Sequence, residues 1–385
     1  MNGPDRPVPF FATAARGTEG ALRDELRELR LFHVRADRGG VHFEGRWEDG
    51  WYACLHSRIA VRILAELSRF DAPDGQALYD GVRAVDLDPF LTPSQTLAVS
   101  ASCRSGGLTH TGFIAQKTKD AVVDRIRDRV GSRPSVDRKD PDVALFVHIA
   151  RDRATLYLDL SGESLHRRGY RAAHLEAPLK ETLAAAVLRL AGWDRATALV
   201  DPMCGSGTIP IEAALWAHNI APGLLRTRFG FERWASHDAT SRARMRDLRD
   251  AARAARRPDG PVILGRDIAP GAVDLARSNA LKAGVVVRFE AGPVSALAPF
   301  PAPESGPPPG APAGFVICNP PYGERLDADP ALYRGMADAM KAMPGHRVAV
   351  LAGSRSIEAA FRRPPDRWQI LFNGDIECRL LVWQM

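Results

Sequence analysis

The C-terminal half of the chain contains a strand, a glycine loop and a helix in immediate succession, "TALVDPMCGSGTIPIEAALWAH" from Thr197 to His218. Further apolar, strand-like runs follow at Pro261–Ala269, Phe315–Cys318 and His346–Gly353, with helical stretches between them. Strands that alternate with helices are typical of an α/β fold with a doubly wound, mostly parallel sheet. Because such sheets bind ligands at the carboxyl ends of their strands, the glycine loop is predicted to lie at the binding site.

The loop itself, Asp201–Thr208, contains Gly205 and Gly207 behind an acidic residue. Glycines allow a ligand to approach the backbone closely, and the helix that follows offers unpaired N–H groups. The spacing matches neither the P-loop nor the dinucleotide-binding fingerprint, and no lysine follows to hold a phosphate. Asp201 therefore favours a cationic or ammonium-bearing ligand over a pyrophosphate. Asp267 ends the next strand, where this fold hydrogen-bonds a ribose.

The run "GFVICNPPYGERL", Gly314–Leu326, is an apolar strand that stops at two prolines followed by a tyrosine. Proline fixes the backbone and lacks an N–H group, so carbonyl oxygens near Asn319 and Pro320 are expected to point into a site as acceptors. The Asn319 amide adds an acceptor, and Tyr322 offers a flat face for a nucleobase. Two acceptors beside an aromatic ring suit an exocyclic amine. The motif alone does not separate N2 of guanine from N6 of adenine.

Three regions of the chain differ in pattern. Residues 1–69 alternate short strands with amphipathic helices and predict a small α+β unit. Residues 70–165 predict a second α/β unit with a long helix and a β-hairpin that turns at 151–153. Residues 166–385 contain the predicted parallel sheet. Within them, the Pro- and Gly-rich run from Pro299 to Gly314 predicts a surface excursion.

Composition places limits on the partners and the compartment. Lys and Arg number 52 against 46 Asp and Glu, a net charge of +6, which permits a polyanionic partner without requiring one. The five cysteines are scattered and form no C-x-x-C pair, which argues against a disulfide framework or a zinc site. No apolar run is long enough to span a bilayer. We therefore expect a cytoplasmic protein that binds neither a membrane nor a metal.

Several motifs together resemble the THUMP-domain RNA guanine-N2 methyltransferases. The segments that carry the resemblance are Asp201–Thr208, Asn319–Tyr322, Leu158–Arg171, Ala177–Leu188 and Ile209–Gly223. The likeness extends over nearly the whole chain. It implies a ferredoxin-like domain at 1–69, a THUMP RNA-binding domain at 70–165 and a Rossmann-like catalytic domain at 166–385. It also implies transfer of a methyl group from S-adenosylmethionine (SAM) to the exocyclic N2 of a guanine in rRNA or tRNA.

The resemblance carries roles onto individual positions. The implied catalytic residues are Asn319, Pro320, Pro321 and Tyr322. The implied cofactor-binding residues are Asp201, Pro202, Cys204, Gly205, Gly207, Thr208, Asp267 and Ile268. One position departs from the family pattern, because Pro293 stands where an acid commonly lies near the adenine amino group. Adenine contacts would then depend on the backbone or on apolar walls such as Ile268.

Basic residues suggest where RNA binds. Between Arg104 and Arg138 there are eight Lys or Arg against four acids, and phosphate contacts of this kind position a substrate. The predicted RNA-binding residues are His110, Lys117 and Lys119 in this region and Arg167, Arg168 and Arg171 at the domain junction. A second stretch, Arg226–Arg257, has ten Arg against four acids. It fits equally a basic lip beside the active site and an exposed, salt-bridged helix.

Two other functions compete with guanine methylation. The same chemistry could act on adenine N6 in RNA or DNA, or the fold could serve a non-catalytic RNA-binding or assembly protein. The sequence does not separate rRNA from tRNA. Long rRNA enzymes of the family carry a second methyltransferase domain at the C-terminus; because this chain ends at Met385, soon after its last strand, none is expected. A monomer is expected.

Overall fold

The computed structural model describes residues 7–171, 179–299, 312–321 and 330–385. The first region contains β1 (Val8–Thr13), α1 (Glu19–Glu28), β2 (Phe32–Asp37), β3 (Gly40–Gly45), α2 (Trp47–His56) and β4 (Arg62–Asp71). The second contains α3 (Gly75–Arg83), β5 (Thr96–Arg104), α4 (Thr111–Val130), β6 (Ser135–Val136), β7 (Val143–Ala150) and β8 (Arg153–Asp159). The hairpin turn predicted at 151–153 is confirmed.

The third region contains the remaining α-helices and strands of the described residues. They are α5 (Glu181–Leu190), β9 (Leu199–Asp201), α6 (Thr208–Ala217), α7 (Ala239–Ala254), β10 (Ile263–Asp267), α8 (Pro270–Ala283), β11 (Arg288–Ala291), β12 (Phe315–Cys318), α9 (Pro330–Lys341), β13 (Arg347–Ala352), α10 (Arg355–Phe361), β14 (Arg367–Asn373) and β15 (Ile376–Gln384). Most of the predicted Pro- and Gly-rich excursion, residues 300–311, lies outside the described residues.

The first two regions share one sheet of eight strands, in the order β2-β3-β1-β4-β8-β7-β5-β6. Strand β4 joins them, because it pairs antiparallel with β1, where Ala65 lies opposite Phe10, and with β8, where Glu66 lies opposite Tyr157. Its ten residues are long enough to serve both neighbours. The division predicted between residues 69 and 70 therefore falls inside a strand rather than in a linker.

The second sheet has seven strands in the order β11-β10-β9-β12-β13-β15-β14. Strands β9 to β13 are parallel, and β15 runs antiparallel to both of its neighbours. This confirms the predicted α/β fold with a mostly parallel sheet. The chain moves outward from β9 to β11 and then returns to β12 on the other side of β9. The ends of β9 and β12 thus flank a topological switch point, where open α/β sheets bind their ligands.

The arginine-rich stretch after α6 packs back onto the first region. Phe231 stacks on Trp51 with ring centroids 5.2 Å apart, and Trp234 meets Trp47 edge-on at 5.7 Å. The arginines of this stretch are largely engaged within the chain: Arg249 donates twice to the Glu232 carboxylate at 2.8 Å, and ion pairs also hold Arg228, Arg233 and Arg253. The structure therefore favours the salt-bridged interpretation of this stretch over a free basic lip.

Candidate active site

The glycine loop adopts backbone angles that other residues rarely accept. Gly205 and Gly207 have φ angles of +52° and +83°, in the left-handed region that glycine enters without cost. A Cβ atom on Gly207 would lie 3.0 Å from the Ala276 side chain and 3.1 Å from the Phe289 ring. The loop is therefore packed tightly against α8 and β11. A Cβ atom on Gly205, by contrast, would meet nothing within 4 Å, so the backbone there is open to a ligand.

Two carboxylates lie at the strand ends beside this loop. Asp267 accepts the Gly205 N–H through Oδ2 at 2.9 Å and the Ala269 N–H through Oδ1 at 3.0 Å. Each of these oxygens keeps a lone pair for a further donor. Asp201 is 2% exposed and accepts the Met203 N–H at 3.1 Å. Burial, helped by the nearby Asp267 charge, raises the pKa of Asp201 to about 8. A cation bound beside Asp201 would relieve this cost.

Asp201 should lower the stability of the ligand-free protein as the pH rises. Its pKa is above the ordinary value of 3.8, so the folded state holds the proton more tightly and loses that advantage as the pH rises from about 4 to about 8. Asp201→Asn keeps an acceptor for the Met203 N–H and stays neutral. The free energy of unfolding of the variant relative to wild type should therefore rise by on the order of 2 kcal/mol between about pH 6 and pH 8.

Thermal unfolding of both proteins without ligand, at about pH 5, 7 and 9, tests this expectation. The difference in Tm should grow with pH and level off above the pKa of Asp201. A difference in Tm that stays constant across the three pH values would show that the Asp201 carboxyl titrates normally.

The end of β12 presents an acceptor without a partner. The Asn319 Oδ1 atom is buried and accepts no hydrogen bond from any described residue. Buried polar atoms in native proteins are nearly always paired, so this oxygen fits a ligand donor. The Tyr333 hydroxyl donates to the Pro321 carbonyl at 2.9 Å and so anchors Pro321 to α9. Tyr322, predicted to stack on a base, lies outside the described residues.

One cavity of about 1390 Å³ joins these features. Ten of the twelve predicted catalytic and cofactor-binding residues line it: Asp201, Pro202, Cys204, Gly205, Thr208, Asp267, Ile268, Asn319, Pro320 and Pro321. Gly207 does not line the cavity but packs against Ala276 and Phe289. The Ile268 side chain is 74% exposed at the wall, and Pro293 also lines the cavity. Among the described residues, no cluster of three or more His, Cys, Asp or Glu could hold a metal ion.

Sequence reasoning missed part of the lining of the cavity. It is formed by residues of later elements and of the segment before α5: Leu179, Lys180, Ala331, Leu332, Gly335, Gly353, Asn373, Gly374 and Ile376. Most of these carry no chemical signature. Only the Asn373–Gly374 pair, a typical hairpin turn, gave a local signal of its structure.

Three of the predicted RNA-binding residues cap α4 or lie in its first half. The His110 ring caps this helix by accepting the Phe113 N–H at 2.9 Å. The Lys117 ammonium lies 4.8 Å from the centroid of the Tyr79 ring, and Lys119 pairs with Asp120. At the domain junction, Arg167 has a 66% exposed side chain. Contact of these residues with RNA remains a prediction.

The other two junction arginines make contacts within the chain. Arg168 is 1% exposed, and its Nη2 lies 3.3 Å from Oε2 of the buried Glu212. Arg171 is 17% exposed and donates to the Thr208 hydroxyl at 2.7 Å. The prediction of RNA contact was wrong for Arg168, because the junction packs against α6 and its guanidinium neutralises a buried carboxylate. Arg171 is committed to a similar internal role.

Residues 168–381, more than half of the chain, match the family model described as an RMKL-like methyltransferase domain. The chain belongs to this family. Residues 73–159 match a THUMP domain, and residues 9–64 match an RlmL ferredoxin-like domain. The combination within one chain agrees with the family that the sequence motifs resemble.

Curated relatives of this RMKL-like protein include the ribosomal RNA large subunit methyltransferase K/L of Syntrophotalea carbinolica, which is 43% identical over 98% of the chain. The chain spans about half the length of the curated relatives it matches, 53% in this case. Among solved structures, SMU.472 in complex with SAH has a TM-score of 0.86, with 30% identity over 99% of this chain and 98% of that one. A Listeria monocytogenes protein described as a predicted N6-adenine-specific DNA methylase has a TM-score of 0.86, with 31% identity over 98% and 96% of the two chains.

No helix in the described ranges is both long enough and apolar enough to cross a membrane.

Proposed function

We propose that this RMKL-like chain transfers a methyl group from SAM to the exocyclic N2 of a guanine in large-subunit ribosomal RNA. The observation that carries the proposal is the buried Oδ1 of Asn319, which has no partner among the described residues, on a residue that lines the same cavity as the glycine loop and Asp267. Asn319 would accept the amine of the target base, and the glycine loop and Asp267 would bind the cationic cofactor beside it. The named relatives and the THUMP match supply the class of substrate.

The residues present fit SAM. Open backbone at Gly205 would admit its amino-acid part, and the buried Asp201 would face its positive charge. The two Asp267 oxygens, each with one backbone partner, would accept the ribose hydroxyls. The exposed side chain of Ile268 would cover a face of the adenine. When bound, SAM supplies a methyl group already activated by its sulfonium charge.

The protein's own part is to hold and orient the amine. Asn319 Oδ1 and the Pro320 carbonyl would accept the two amine protons and so direct the nitrogen lone pair away from the base. The two prolines fix the backbone that presents these acceptors, and we propose that Tyr322 stacks on the base. No strong base is needed, because the nitrogen becomes acidic once it gains positive charge. Positioning therefore provides most of the rate enhancement.

RNA would approach along the first sheet. We propose that His110, Lys117, Lys119 and Arg167 contact phosphates, which position the substrate without reading sequence. The target guanine would be unpaired or flipped out of its helix to reach the cavity. The enzyme would act as a monomer in the cytoplasm.

Adenine N6 is the second candidate for the methylated atom. It is favoured by one observation, the description of the similar Listeria structure. Asn319 could hold that amine equally well, because both bases present a planar exocyclic –NH2.

Nucleoside mass spectrometry on separated rRNA and tRNA, from cells with and without the gene, tests the proposal. We expect N2-methylguanosine to fall in the large-subunit rRNA of the deletion strain and to return with the wild-type gene but not with Asn319→Ala. Loss of N6-methyladenosine instead would establish the second candidate. If no nucleoside changes in either pool, a binding or assembly role replaces catalysis.

A further inference from the structure

A second cavity, of about 370 Å³, lies between the first region and the methyltransferase domain. The residues after β1, the start of α5 and the turn between β14 and β15 form its walls. Lys180 and Gly374 line this cavity and the candidate active site, so the two adjoin. Neither the glycine loop nor Asn319 reaches it. The proposed function therefore leaves this cavity without a role.

Its charged lining is biased towards anions. Arg16 and Lys180 are exposed, and neither forms an ion pair with a carboxylate in the described part of the chain. The Arg16 guanidinium lies 4.1 Å from the centroid of the Phe372 ring, a cation–π contact that holds it at the cavity wall. Asp375 adds one negative charge to the lining. Two cations against one carboxylate leave a net charge of +1.

Helix α5 begins in this cavity and contributes further donors. Its N-cap residue, Lys180, accepts no hydrogen bond through its side chain from the N–H groups of the first turn. Helix N-termini attract anions through these N–H groups and the helix dipole. Glu181 in the same turn pairs with Arg171 at 3.4 Å and does not line the cavity.

Thr182 adds an observation that does not depend on the helix end. It is 2% exposed and lines the cavity, yet its Oγ1 atom has no hydrogen-bond partner among the described residues. A buried hydroxyl without a partner is costly. A phosphate oxygen in the cavity would accept its proton.

We propose that this cavity binds a backbone phosphate of the RNA strand next to the target nucleotide. Arg16, Lys180, the Thr182 hydroxyl and the first turn of α5 are its ligands. The inference rests on the proposed function, because a guanine held at Asn319 carries a phosphate on each side. A phosphate bound in the adjoining cavity would hold the RNA strand in place while the target base is flipped out of its helix.

The test uses the whole chain and a short fluorescein-labelled single-stranded RNA, with binding followed by anisotropy across a salt series. The variants are Arg16→Gln and Thr182→Val, since neither residue lines the cofactor cavity. Lys282→Gln is the matched control, because Lys282 is exposed at the end of α8 and lines neither cavity. SAM affinity is measured by calorimetry for each protein.

Loss of one phosphate contact reduces the slope of log K against log salt by about 0.7 for a single strand. Between about 50 and 200 mM salt, wild type should therefore lose about 2.6-fold more affinity than Arg16→Gln. Thr182→Val should bind RNA several-fold more weakly while keeping or raising Tm, because it removes an unpaired buried hydroxyl. SAM affinity should stay unchanged, and Lys282→Gln should behave as wild type.

Different results would overturn the phosphate subsite and the proposed methyl transfer. If wild type methylates RNA but Arg16→Gln keeps the wild-type salt slope and Thr182→Val the wild-type affinity, the phosphate subsite is overturned and the proposed function stands. If wild type neither binds RNA nor transfers a methyl group to it, both are overturned.

Discussion

Replacing Asn319 with alanine should lower kcat for methyl transfer by about 10²- to 10³-fold, the loss seen when one preorganised polar group is removed from an active site. Asn319 Oδ1 is a buried acceptor with no partner in the described part of the chain. Its hydrogen bond to the amine would be made only when a base is bound. The affinity for SAM should therefore stay within about twofold of wild type, because that ligand does not depend on the amide.

Single-turnover methyl transfer and calorimetry with SAM separate these two effects. Asn319→Asp is the control, because it keeps an acceptor oxygen in the same place and should retain more activity than Asn319→Ala. The proposed role of Asn319 is contradicted if Asn319→Ala hardly lowers kcat, or if this variant also loses its affinity for SAM.

Replacing Arg168 with alanine should lower the free energy of unfolding by about 3–5 kcal/mol, because it leaves a buried charge without its partner. Glu212 is fully buried and also receives the Tyr170 hydroxyl at 3.2 Å. Arg168 further donates to the Leu165 carbonyl at 2.7 Å. These contacts hold residues 165–170 against α6. The effect should therefore appear as lost stability rather than as weaker RNA binding.

The neighbouring residue gives a matched control. Arg167 is exposed and, among the described residues, its side chain pairs with Glu163 alone, an i,i+4 pair at 3.0 Å, so Arg167→Ala should change stability by less than about 0.5 kcal/mol. Its RNA affinity should fall instead. Denaturant unfolding and RNA binding of both variants would distinguish the roles. An Arg168→Ala protein with wild-type stability and weakened RNA binding would restore the original prediction of RNA contact.

The sequence predicted the parts of the site that lie at the ends of strands. Because the ends of β9, β10 and β12 meet at one edge of a parallel sheet, the glycine loop, Asp267 and Asn319 could be placed together without knowing any contact. Their motifs are also local, so a single stretch of sequence identifies each. The fold class followed from the same alternation of strands and helices.

Other parts depend on pairing between distant segments, which a single sequence does not show. The wall at Asn373–Ile376 reaches the cavity only through the antiparallel β14–β15 hairpin. The continuous first sheet likewise depends on β4 pairing with both β1 and β8. Strand register of this kind is decided by packing rather than by local composition.

Arg168 shows where a signal was present and overlooked. Its place at the domain junction suggested RNA contact, but its partner Glu212 is the one charged residue of α6, "TIPIEAALWA". A carboxylate in an otherwise apolar helix is buried only when it is paired. That isolated glutamate predicts a buried basic partner, and the nearby arginines were the candidates.

The most direct test of the central claim is methyl transfer from labelled SAM to large-subunit rRNA that lacks the modification, using the purified chain, followed by nucleoside analysis of the product. The account predicts label in N2-methylguanosine with wild type and almost none with Asn319→Ala. Label in N6-methyladenosine would contradict the guanine assignment, and no label in any nucleoside despite SAM binding would contradict the proposed reaction.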